Sequence, residues 1–254
     1  MSETLASTAP AAQALGGRCA APGAPVLALL FDLDGTLIDS MPLHERSWQL
    51  WFAEQDLPFD DAGFFEATAG RTNFEILSDL LPARPIDELH RLAFRKEELY
   101  REIAATELSL IAGAAEFCAA ARAQGYKLAV CTASPRENIA VAFDRFRLGD
   151  LVDTVTSPSE IKFGGAPGET LRGKPHPDIF AEAARRLGVP AEACLVYEDA
   201  PLGIEAARRA GMCAVALTTT LPASAFADYT NVVTVMNDFV GYSLPALGAA
   251  RSVR

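Results

Sequence analysis

The chain has 254 residues, enough for one large domain or two smaller ones at about 100–200 residues each. Half of the residues are apolar and 22% are charged, a composition that excludes global disorder, collagen and coiled coil. The formal net charge of −11 argues against nucleic acid as a partner, because an acidic surface repels a polyanion. No apolar run reaches the roughly 18 residues of a membrane-spanning helix, so we expect no membrane partner either.

The five cysteines form no CxxC pair and are odd in number. Three of them lie in apolar stretches and are predicted to be small core residues of a protein in a reducing compartment. We therefore expect a cytoplasmic protein.

The two ends of the chain lack the patterns of folded elements. Residues 1–25 are rich in alanine, and they lack the positive start and continuous apolar segment of a secretory signal. We predict a disordered leader over residues 1–25 and a frayed tail over residues 246–254.

Short apolar runs alternate with helical patterns through most of the remaining chain. Continuously apolar runs are typical of parallel strands covered on both faces, and four runs have this pattern: Val26–Phe31, Lys127–Thr132, Ala193–Tyr197 and Cys213–Leu217. Three helical patterns end just before a glycine suited to a left-handed cap: Gly113–Gln124, Pro177–Leu187 and Pro201–Ala210. The alternation predicts an α/β fold, a doubly wound, Rossmann-like and mostly parallel sheet built from residues 26–40 and 109–245.

Residues 41–108 break this alternation. They contain only helical patterns: Leu43–Glu54, Thr72–Leu80 and Ile86–Glu107. An all-helical insertion after the first strand predicts a second, smaller domain, entered and left through hinges near Ser40 and Leu108. A Gly- and Pro-rich stretch elsewhere, Ser157–Arg172, is too long for an ordinary turn and is predicted to be a mobile loop.

Two aspartates follow the first predicted strand directly. Asp32 and Asp34 lead from a buried strand into the turn at Gly35, so their carboxylates can converge on one cation or one reacting atom. Open α/β sheets bind their ligands at this edge, outside the carboxyl ends of the strands. Taken alone, an ordinary Asp-Gly turn explains the same residues equally well.

Two further motifs have the chemistry of a phosphate site. Thr132, followed by Ala133 and Ser134, can cradle an anion through its hydroxyl and through backbone N–H groups at a helix start, although a plain N-cap is the simpler explanation. Lys174 precedes a proline that holds its backbone extended, and its ammonium can neutralise phosphate charge. The alternative for Lys174 is an exposed surface lysine.

A fourth motif, Glu198 and Asp199, follows the Ala193–Tyr197 strand. Its alternative is an N-cap with a solvated neighbour. If the chain had no such site, the ordinary explanation of each of the four motifs would have to hold, although the motifs occur in order and each at a strand end. Hard oxygen ligands, a hydroxyl and one lysine are what Mg²⁺-assisted phosphoryl transfer requires.

The four motifs together resemble the haloacid dehalogenase superfamily. The residues that carry the resemblance are Asp-Leu-Asp-Gly-Thr-Leu-Ile-Asp-Ser, then Thr132, then Gly-Lys-Pro-His-Pro-Asp, then Glu-Asp-Ala-Pro-Leu-Gly-Ile-Glu-Ala-Ala. More narrowly, the chain is similar to the sugar-phosphate phosphatase and β-phosphoglucomutase-like branch, whose members carry a helical cap. The resemblance covers about residues 26–240.

The resemblance implies a role for each matching residue. Asp32 matches the nucleophile that becomes an aspartyl phosphate, and Asp34 matches the general acid and base. The implied Mg²⁺ ligands are Asp32, the main-chain carbonyl of Asp34, and Asp199, with Glu198 beside it. The implied phosphate-binding residues are Thr132, Ala133 and Lys174. A dehalogenase needs neither magnesium nor the second aspartate, so Asp34 and the Glu198-Asp199 pair argue against dehalogenation.

In this family the cap sets substrate specificity. His44 and Trp48 stand ten and fourteen positions after Asp34, as in β-phosphoglucomutase-like proteins, and a helix places them one turn apart on one face. Ordinary packing of a His/Trp pair is the alternative. A short segment of this chain resembles the cap's specificity loop, namely Gly70, Arg71, Thr72 and Asn73. The mutases carry arginine at the position of Asn73, which weakens the mutase interpretation.

The leading hypothesis is an enzyme, a Mg²⁺-dependent phosphatase of a small phosphorylated metabolite such as a sugar or polyol phosphate. The alternative is a β-phosphoglucomutase, which shares the core residues and returns the phosphoryl group to sugar. A binding module that kept the fold without the chemistry is the third hypothesis, disfavoured by intact Asp32, Asp34, Lys174 and Asp199. We expect a monomer or a small homo-oligomer.

Overall fold

The computed structural model describes most of the chain, namely residues 13–14, 25–60, 63–68, 71–158, 160, 162, 164–166 and 168–247. Of the predicted leader it describes Gln13, Ala14 and Pro25; the rest of the leader and residues 248–254 of the predicted tail lie outside the described residues. No helix within the described ranges is long and apolar enough to cross a membrane.

Seven strands form one sheet in the order β1-β7-β6-β5-β2-β3-β4. The strands are β1 (Gln13–Ala14), β2 (Ala28–Phe31), β3 (Lys127–Cys131), β4 (Thr154–Thr156), β5 (Cys194–Glu198), β6 (Cys213–Leu217) and β7 (Val232–Met236). Strands β2 to β7 pair in parallel, and β1 pairs antiparallel with β7. Strand β2 lies between β3 and β5, where the strand order reverses. The predicted doubly wound sheet is confirmed, with β1, β4 and β7 as additional strands, of which β1 lies in the segment predicted to be a disordered leader.

Both faces of the sheet are covered, which explains the continuously apolar strands. Successive residues of β2 alternate between two clusters: Leu29 and Phe31 pack on one side, Ala28 and Leu30 on the other, and all four are fully buried. Apolar residues on both faces of a strand are typical of a parallel sheet between helical layers.

Eight α-helices accompany the sheet in the described part of the chain. They are α1 (Met41–Glu54), α2 (Phe64–Thr68), α3 (Asn73–Leu80), α4 (Ile86–Glu107), α5 (Ala114–Ala123), α6 (Arg136–Phe146), α7 (Asp178–Leu187) and α8 (Pro201–Arg209). The glycines predicted to end α5, α7 and α8 all have positive φ: 93° at Gly125, 67° at Gly188 and 76° at Gly211. Helix α6 follows Pro135, where the Thr132 motif predicts a helix start without giving the helix bounds.

Helices α1 to α4 fill residues 41–107 and have their own apolar cluster. Its buried members are Trp48, Trp51, Phe52, Ile76, Leu77, Leu89 and Leu99. The two segments that join these helices to the sheet pair with each other: the Asp39 amide donates to the Ser109 carbonyl and the Ile111 amide to the Leu37 carbonyl, each at 2.9 Å. The cap helices therefore attach to the core through two adjacent strand-like segments.

The long loop before Lys174 is partly described and is folded back on itself. The Lys162 amide donates to the Glu169 carbonyl at 2.8 Å, and the Leu171 amide donates to the Glu160 carbonyl at 2.9 Å. The side chain of Leu171 is buried, and Arg186 on α7 pairs with Glu160. The described residues of this loop thus form a hydrogen-bonded arm lying against α7; its predicted mobility stays a prediction.

Cys118, Cys131 and Cys194 are buried free thiols, as expected of core cysteines. Cys213, by contrast, is disulfide-bonded. The prediction that the cysteines of the apolar runs stay reduced is therefore wrong for Cys213. Its physical reason is position, since Cys213 begins β6 and is only half-buried, whereas the three free thiols are enclosed.

Candidate active site

The carboxyl ends of β2, β3 and β5 bring the predicted site residues together. Asp32 follows β2, and its amide donates to the Tyr197 carbonyl of β5 at 2.9 Å. The Lys174 ammonium forms ion pairs with both Asp32 and Glu198. Burial raises the pKa of Asp32 well above its usual range, with Lys174 opposing. Burial lowers the pKa of Lys174, but the carboxylates of Asp32 and Glu198 outweigh burial and raise that pKa above its usual value.

Glu198 is enclosed by its own turn. One carboxylate oxygen, Oε1, pairs with Lys174, and the other, Oε2, accepts from the Ala200 amide at 2.9 Å. The carboxylate lies so close to the backbone of Gly203 that a Cβ atom there would overlap it. Oε2 is thus hydrogen-bonded, whereas the buried Oε1 has no hydrogen bond and holds Lys174 through charge.

Asp34 accepts hydrogen bonds from Ser40, which connects the core to the cap, and from Ser134 of the core. Ser40 donates to Oδ1 at 2.7 Å, and Ser134 donates to Oδ2. The ring nitrogen Nε2 of His44 lies 3.6 Å from Oδ1. Although burial opposes it, these partners, His44 foremost, lower the pKa of Asp34 to about 2. Asp34 is therefore a carboxylate in this arrangement.

Asp199 is held by hydroxyl groups from two loops. Thr36 donates to Oδ1 at 3.3 Å, and Thr220, after β6, donates to Oδ2. Gly35 has φ 70° and approaches Asp199 so closely that a Cβ would overlap the carboxylate, so both conformation and space require glycine there. Burial and the charge of Glu198 raise the pKa of Asp199 to about 7.

The Thr132 motif follows β3 at the same edge. Thr132 is buried, and its hydroxyl oxygen accepts from the Ser134 amide at 3.0 Å. Ala133 lies between them in the loop. The phosphate contacts predicted for Thr132 and Ala133 stay predictions. Ser134 bonds Asp34 and thereby ties this loop to the β2 turn.

His44 connects the cap to Asp34. Its ring stacks on Tyr100 of α4, with centroids 3.9 Å apart and planes 5° from parallel. Its Nδ1 lies 2.6 Å from the Lys96 ammonium. Because an ammonium only donates, Nδ1 accepts and the ring proton is on Nε2, which faces Asp34. Of the predicted cap residues, His44 is the one that reaches the core carboxylates in the described structure.

The other predicted cap residues have partners inside the cap. Trp48 is buried in the cap cluster, where its ring contacts the Lys96 ammonium at 5.5 Å. Arg71 pairs with Asp79 at 2.5 Å. Thr72 is the N-cap of α3, and Asn73 donates to Glu97. Gly70 lies outside the described residues. Substrate contacts of these residues stay predictions.

The donor set fits a divalent cation in its chemistry. Asp32, Glu198 and Asp199 are buried carboxylates, and Lys174 is the cation that pairs with two of them. A positive ion near Asp199 would relieve the repulsion that raises its pKa. As arranged, no three carboxylate, histidine or cysteine side chains among the described residues are gathered at metal-binding distance.

Several polar residues of the site were not predicted. They are Thr36, Ser40, Ser134 as a partner of Asp34, Thr220, Lys96, Glu97 and Asn138. The run of three threonines directly after the Cys213–Leu217 strand was a usable signal for Thr220, since strand ends face the site. Lys96 and Glu97 lie in a strongly charged helix whose pattern does not distinguish its buried face.

A family comparison agrees with this geometry. Residues 26–211 match the model of the haloacid dehalogenase-like hydrolases, which covers most of the chain and contains all four strand-end motifs. The chain belongs to this family of hydrolases.

Individual relatives share the fold and much of the length. Validoxylamine A 7'-phosphate phosphatase of Streptomyces hygroscopicus is 32% identical over 78% of this chain and 89% of its own. A β-phosphoglucomutase of Mycobacterium tuberculosis is 30% identical over 75% of this chain and 79% of its own. The crystal structure of a HAD hydrolase, family IA, variant 3, from Entamoeba histolytica is 25% identical and superposes with a TM-score of 0.73, covering 85% of this chain and 95% of that one.

Proposed function

We propose that this protein is a Mg²⁺-dependent phosphatase that hydrolyses a small phosphorylated metabolite, a sugar or polyol phosphate, through an aspartyl phosphate. The observation that carries the proposal is the ion pair of Asp32 with Lys174 at the point where the strand order reverses, with Asp34 two residues away. The Streptomyces relative, named a phosphatase, supports the same reaction class.

The reaction divides into two steps at one phosphorus atom. In the first, an Asp32 carboxylate oxygen attacks phosphorus, the bond from phosphorus to the alcohol oxygen breaks, and Asp34 gives that oxygen a proton. In the second, water attacks the aspartyl phosphate, Asp34 takes its proton, and orthophosphate and free Asp32 result. Lys174 neutralises phosphoryl charge, and Glu198 keeps its ammonium in reach.

Asp34 can serve both steps because its partners are hydroxyl groups and a ring nitrogen rather than fixed cations. With a pKa of about 2 it is ionised, the form that accepts the proton from water. Its donating form is the carboxylic acid that it becomes in the second step, when it takes the proton of water, and this proton then passes to the leaving alcohol of the next turnover.

Magnesium would be held by Asp32, the main-chain carbonyl of Asp34, and Asp199. When bound it supplies positive charge that stabilises the phosphoryl oxygens and the ionised carboxylates. Glu198 is the further predicted ligand: its buried Oε1 has no hydrogen bond and is paired with Lys174 through charge.

A mutase is the second candidate, supported by the mycobacterial relative. A mutase must grip a second phosphate while its substrate reorients. Arg71 pairs with Asp79, and Asn73 donates to Glu97, so neither offers a free phosphate contact in this conformation. These contacts favour hydrolysis of a monophosphate.

Orthophosphate release tests the proposal. A panel of sugar and polyol phosphates, with phenyl phosphate and 4-nitrophenyl phosphate as substrates without a sugar part, is assayed with Mg²⁺ and with EDTA. We expect steady release that EDTA abolishes, and a loss of about 10⁴-fold or more in Asp32→Asn. Interconversion of hexose 1- and 6-phosphates without release would favour the mutase, and inactivity on every substrate would favour the binding module.

A further inference from the structure

A chain of buried polar groups extends from Asp34 into the cap. After His44 comes Lys96, whose side chain is only 2% exposed and which lies between the rings of Trp48 and Tyr100. The Lys96 ammonium is 3.2 Å from Oε1 of its neighbour Glu97. Burying an ammonium and a carboxylate is costly unless every partner is in place, so this pair is sensitive to what surrounds it.

Glu97 is the residue at which the two domains meet in this chain of contacts. One oxygen, Oε1, accepts from Asn73 of the cap, and Oε2 accepts from Asn138 of core helix α6 at 2.5 Å. Asn138 is itself buried, and its carbonyl oxygen accepts from Arg101 at 3.1 Å. Because Arg101 only donates, the amide orientation of Asn138 is determined, and its NH₂ group must face Glu97.

The bond between Glu97 and Asn138 lies far along α4 from the hinge. Arg145 of α6 donates to the carbonyls of Ala105, Thr106 and Leu108, at 2.8–2.9 Å, and so fixes the end of α4 at the hinge. Glu97 lies 11 residues before Leu108, about 16 Å along the helix axis. A rotation of roughly 10° about the hinge moves Glu97 by about 3 Å, enough to break its bond to Asn138 while the contacts at Arg145 persist.

We propose that the bond between Glu97 and Asn138 is the joint through which the core positions Lys96, and through Lys96 the ring of His44, on Asp34. Glu97 and Asn138 are thus positioning residues. Their effect on catalysis rests on the proposed function, in which Asp34 carries the proton. The joint itself is a property of the fold and can be measured without turnover.

Reversal of the bond's polarity gives the sharpest test. Asn138→Asp puts two carboxylates face to face, and Glu97→Gln leaves a single side-chain oxygen for three donors, Asn73, Lys96 and Asn138. In the double variant the new glutamine donates to the new aspartate, which Arg101 also stabilises. We expect each single variant to lose activity and the double variant to regain most of it. Asn138→Ala, which only removes the donor, covers the case in which Asn138→Asp does not fold.

The leaving group separates positioning from general damage. Phenyl phosphate has a poorer leaving group than 4-nitrophenyl phosphate and depends more on proton donation by Asp34. For Asn138→Asp we expect kcat/KM to fall about 10–100-fold with phenyl phosphate and less than about 5-fold with 4-nitrophenyl phosphate. Equal losses with both substrates, or no recovery in the double variant, would overturn the proposal. Glu98→Gln is the matched control, because Glu98 pairs with Arg95 at the surface.

Tryptophan fluorescence provides the measurement that needs no activity. Both tryptophans, Trp48 and Trp51, are in the cap, and the Lys96 ammonium faces the Trp48 ring. We expect a changed emission maximum or intensity in Asn138→Asp, restored in the double variant and absent in Glu98→Gln. An unchanged spectrum in Asn138→Asp would refute the joint. If the wild type hydrolyses no substrate, the proposed function fails, and this spectrum still decides on the joint.

Discussion

The carboxylate of Glu198 lies against the backbone of Gly203, in the first turn of α8, and holds Lys174 from there. A side chain at position 203 would occupy the space of the carboxylate. Glycine at position 203 therefore affects Lys174 through Glu198. Glu198 is buried, and its carboxylate has no second position to occupy.

Gly203→Ala should therefore impair catalysis as well as stability. Alanine gains up to about 1 kcal/mol of helix propensity over glycine, but the displaced Glu198 releases Lys174. We expect kcat/KM for orthophosphate release to fall about tenfold or more, as for a lost charged hydrogen bond. Gly188→Ala is the control, since Gly188 has φ 67° and open space around it: it should lower the melting temperature and leave kcat/KM unchanged. Equal kinetics in both variants would contradict the role of Gly203.

Thr220→Val should weaken magnesium binding. Thr220 donates to Asp199, and loss of a residue that orients a metal ligand typically costs 10–100-fold in metal affinity. The Mg²⁺ concentration for half-maximal activity should rise by about that factor, with the same change in calorimetric titrations with Mg²⁺ alone. Thr218→Val is the matched control, because the Thr218 hydroxyl donates to Asn237 at 2.7 Å. A similar change in both variants would argue against a specific effect of Thr220.

His44→Ala should reduce proton transfer by Asp34. The substitution removes the ring beside Asp34 and leaves the Lys96 ammonium without that partner. We expect kcat/KM for sugar phosphates to fall about tenfold, and that for 4-nitrophenyl phosphate to fall less. His90→Ala is a suitable control: His90 is exposed in the same cap and stacks on Phe74 as His44 stacks on Tyr100. The assignment would not survive if the two variants behaved alike.

Asp178→Asn should change how the free energy of unfolding depends on pH. Asp178 accepts hydrogen bonds from Arg172 at its amide and guanidinium, which lower the pKa of Asp178 to about 2. An aspartate in an unfolded chain titrates near 4, so Asp178 stabilises the folded state above about pH 4, and this contribution is lost as the pH falls toward 2.

Urea titrations between pH 7 and pH 2.5 measure this effect. The variant should be less stable than the wild type by about 1–2 kcal/mol at pH 7, and the difference should shrink below pH 4. Asp144→Asn, at an exposed position of α6, should leave the curve unchanged. A difference that is constant across this range would exclude Asp178 as its source.

Most of the sheet and cap follow from local pattern. The bounds of α4 and β6 are as predicted, because a long helical period and a continuous apolar run are unambiguous over such lengths. Strand β4 has three residues, too few for a period, and β7 has a threonine among apolar residues. Both are identified by pairing with a neighbour, which local sequence does not contain.

The site divides in the same way. Asp32, Asp34 and Lys174 could be predicted because they follow strands or precede a proline, and a parallel sheet brings its strand ends together. The contacts of Lys96 with His44, and of Glu97 with Asn138, join residues 52 and 41 positions apart. Their pairing depends on how the cap lies on the core, and neither residue type nor spacing specifies that.

The paired segments at residues 37–39 and 109–111 have a consequence for how this chain is built. These two segments pair with each other as the strands of a hairpin do, so the cap stands in the place of the hairpin's turn. The register of the sheet strands therefore does not depend on what the cap contains. The loop-closure entropy of the insertion grows only with the logarithm of its length. Exchange of the cap for one of different size or shape would thus leave Asp32, Glu198 and Asp199 where they are, and Asp34 alone among these carboxylates would lose a partner, the ring of His44.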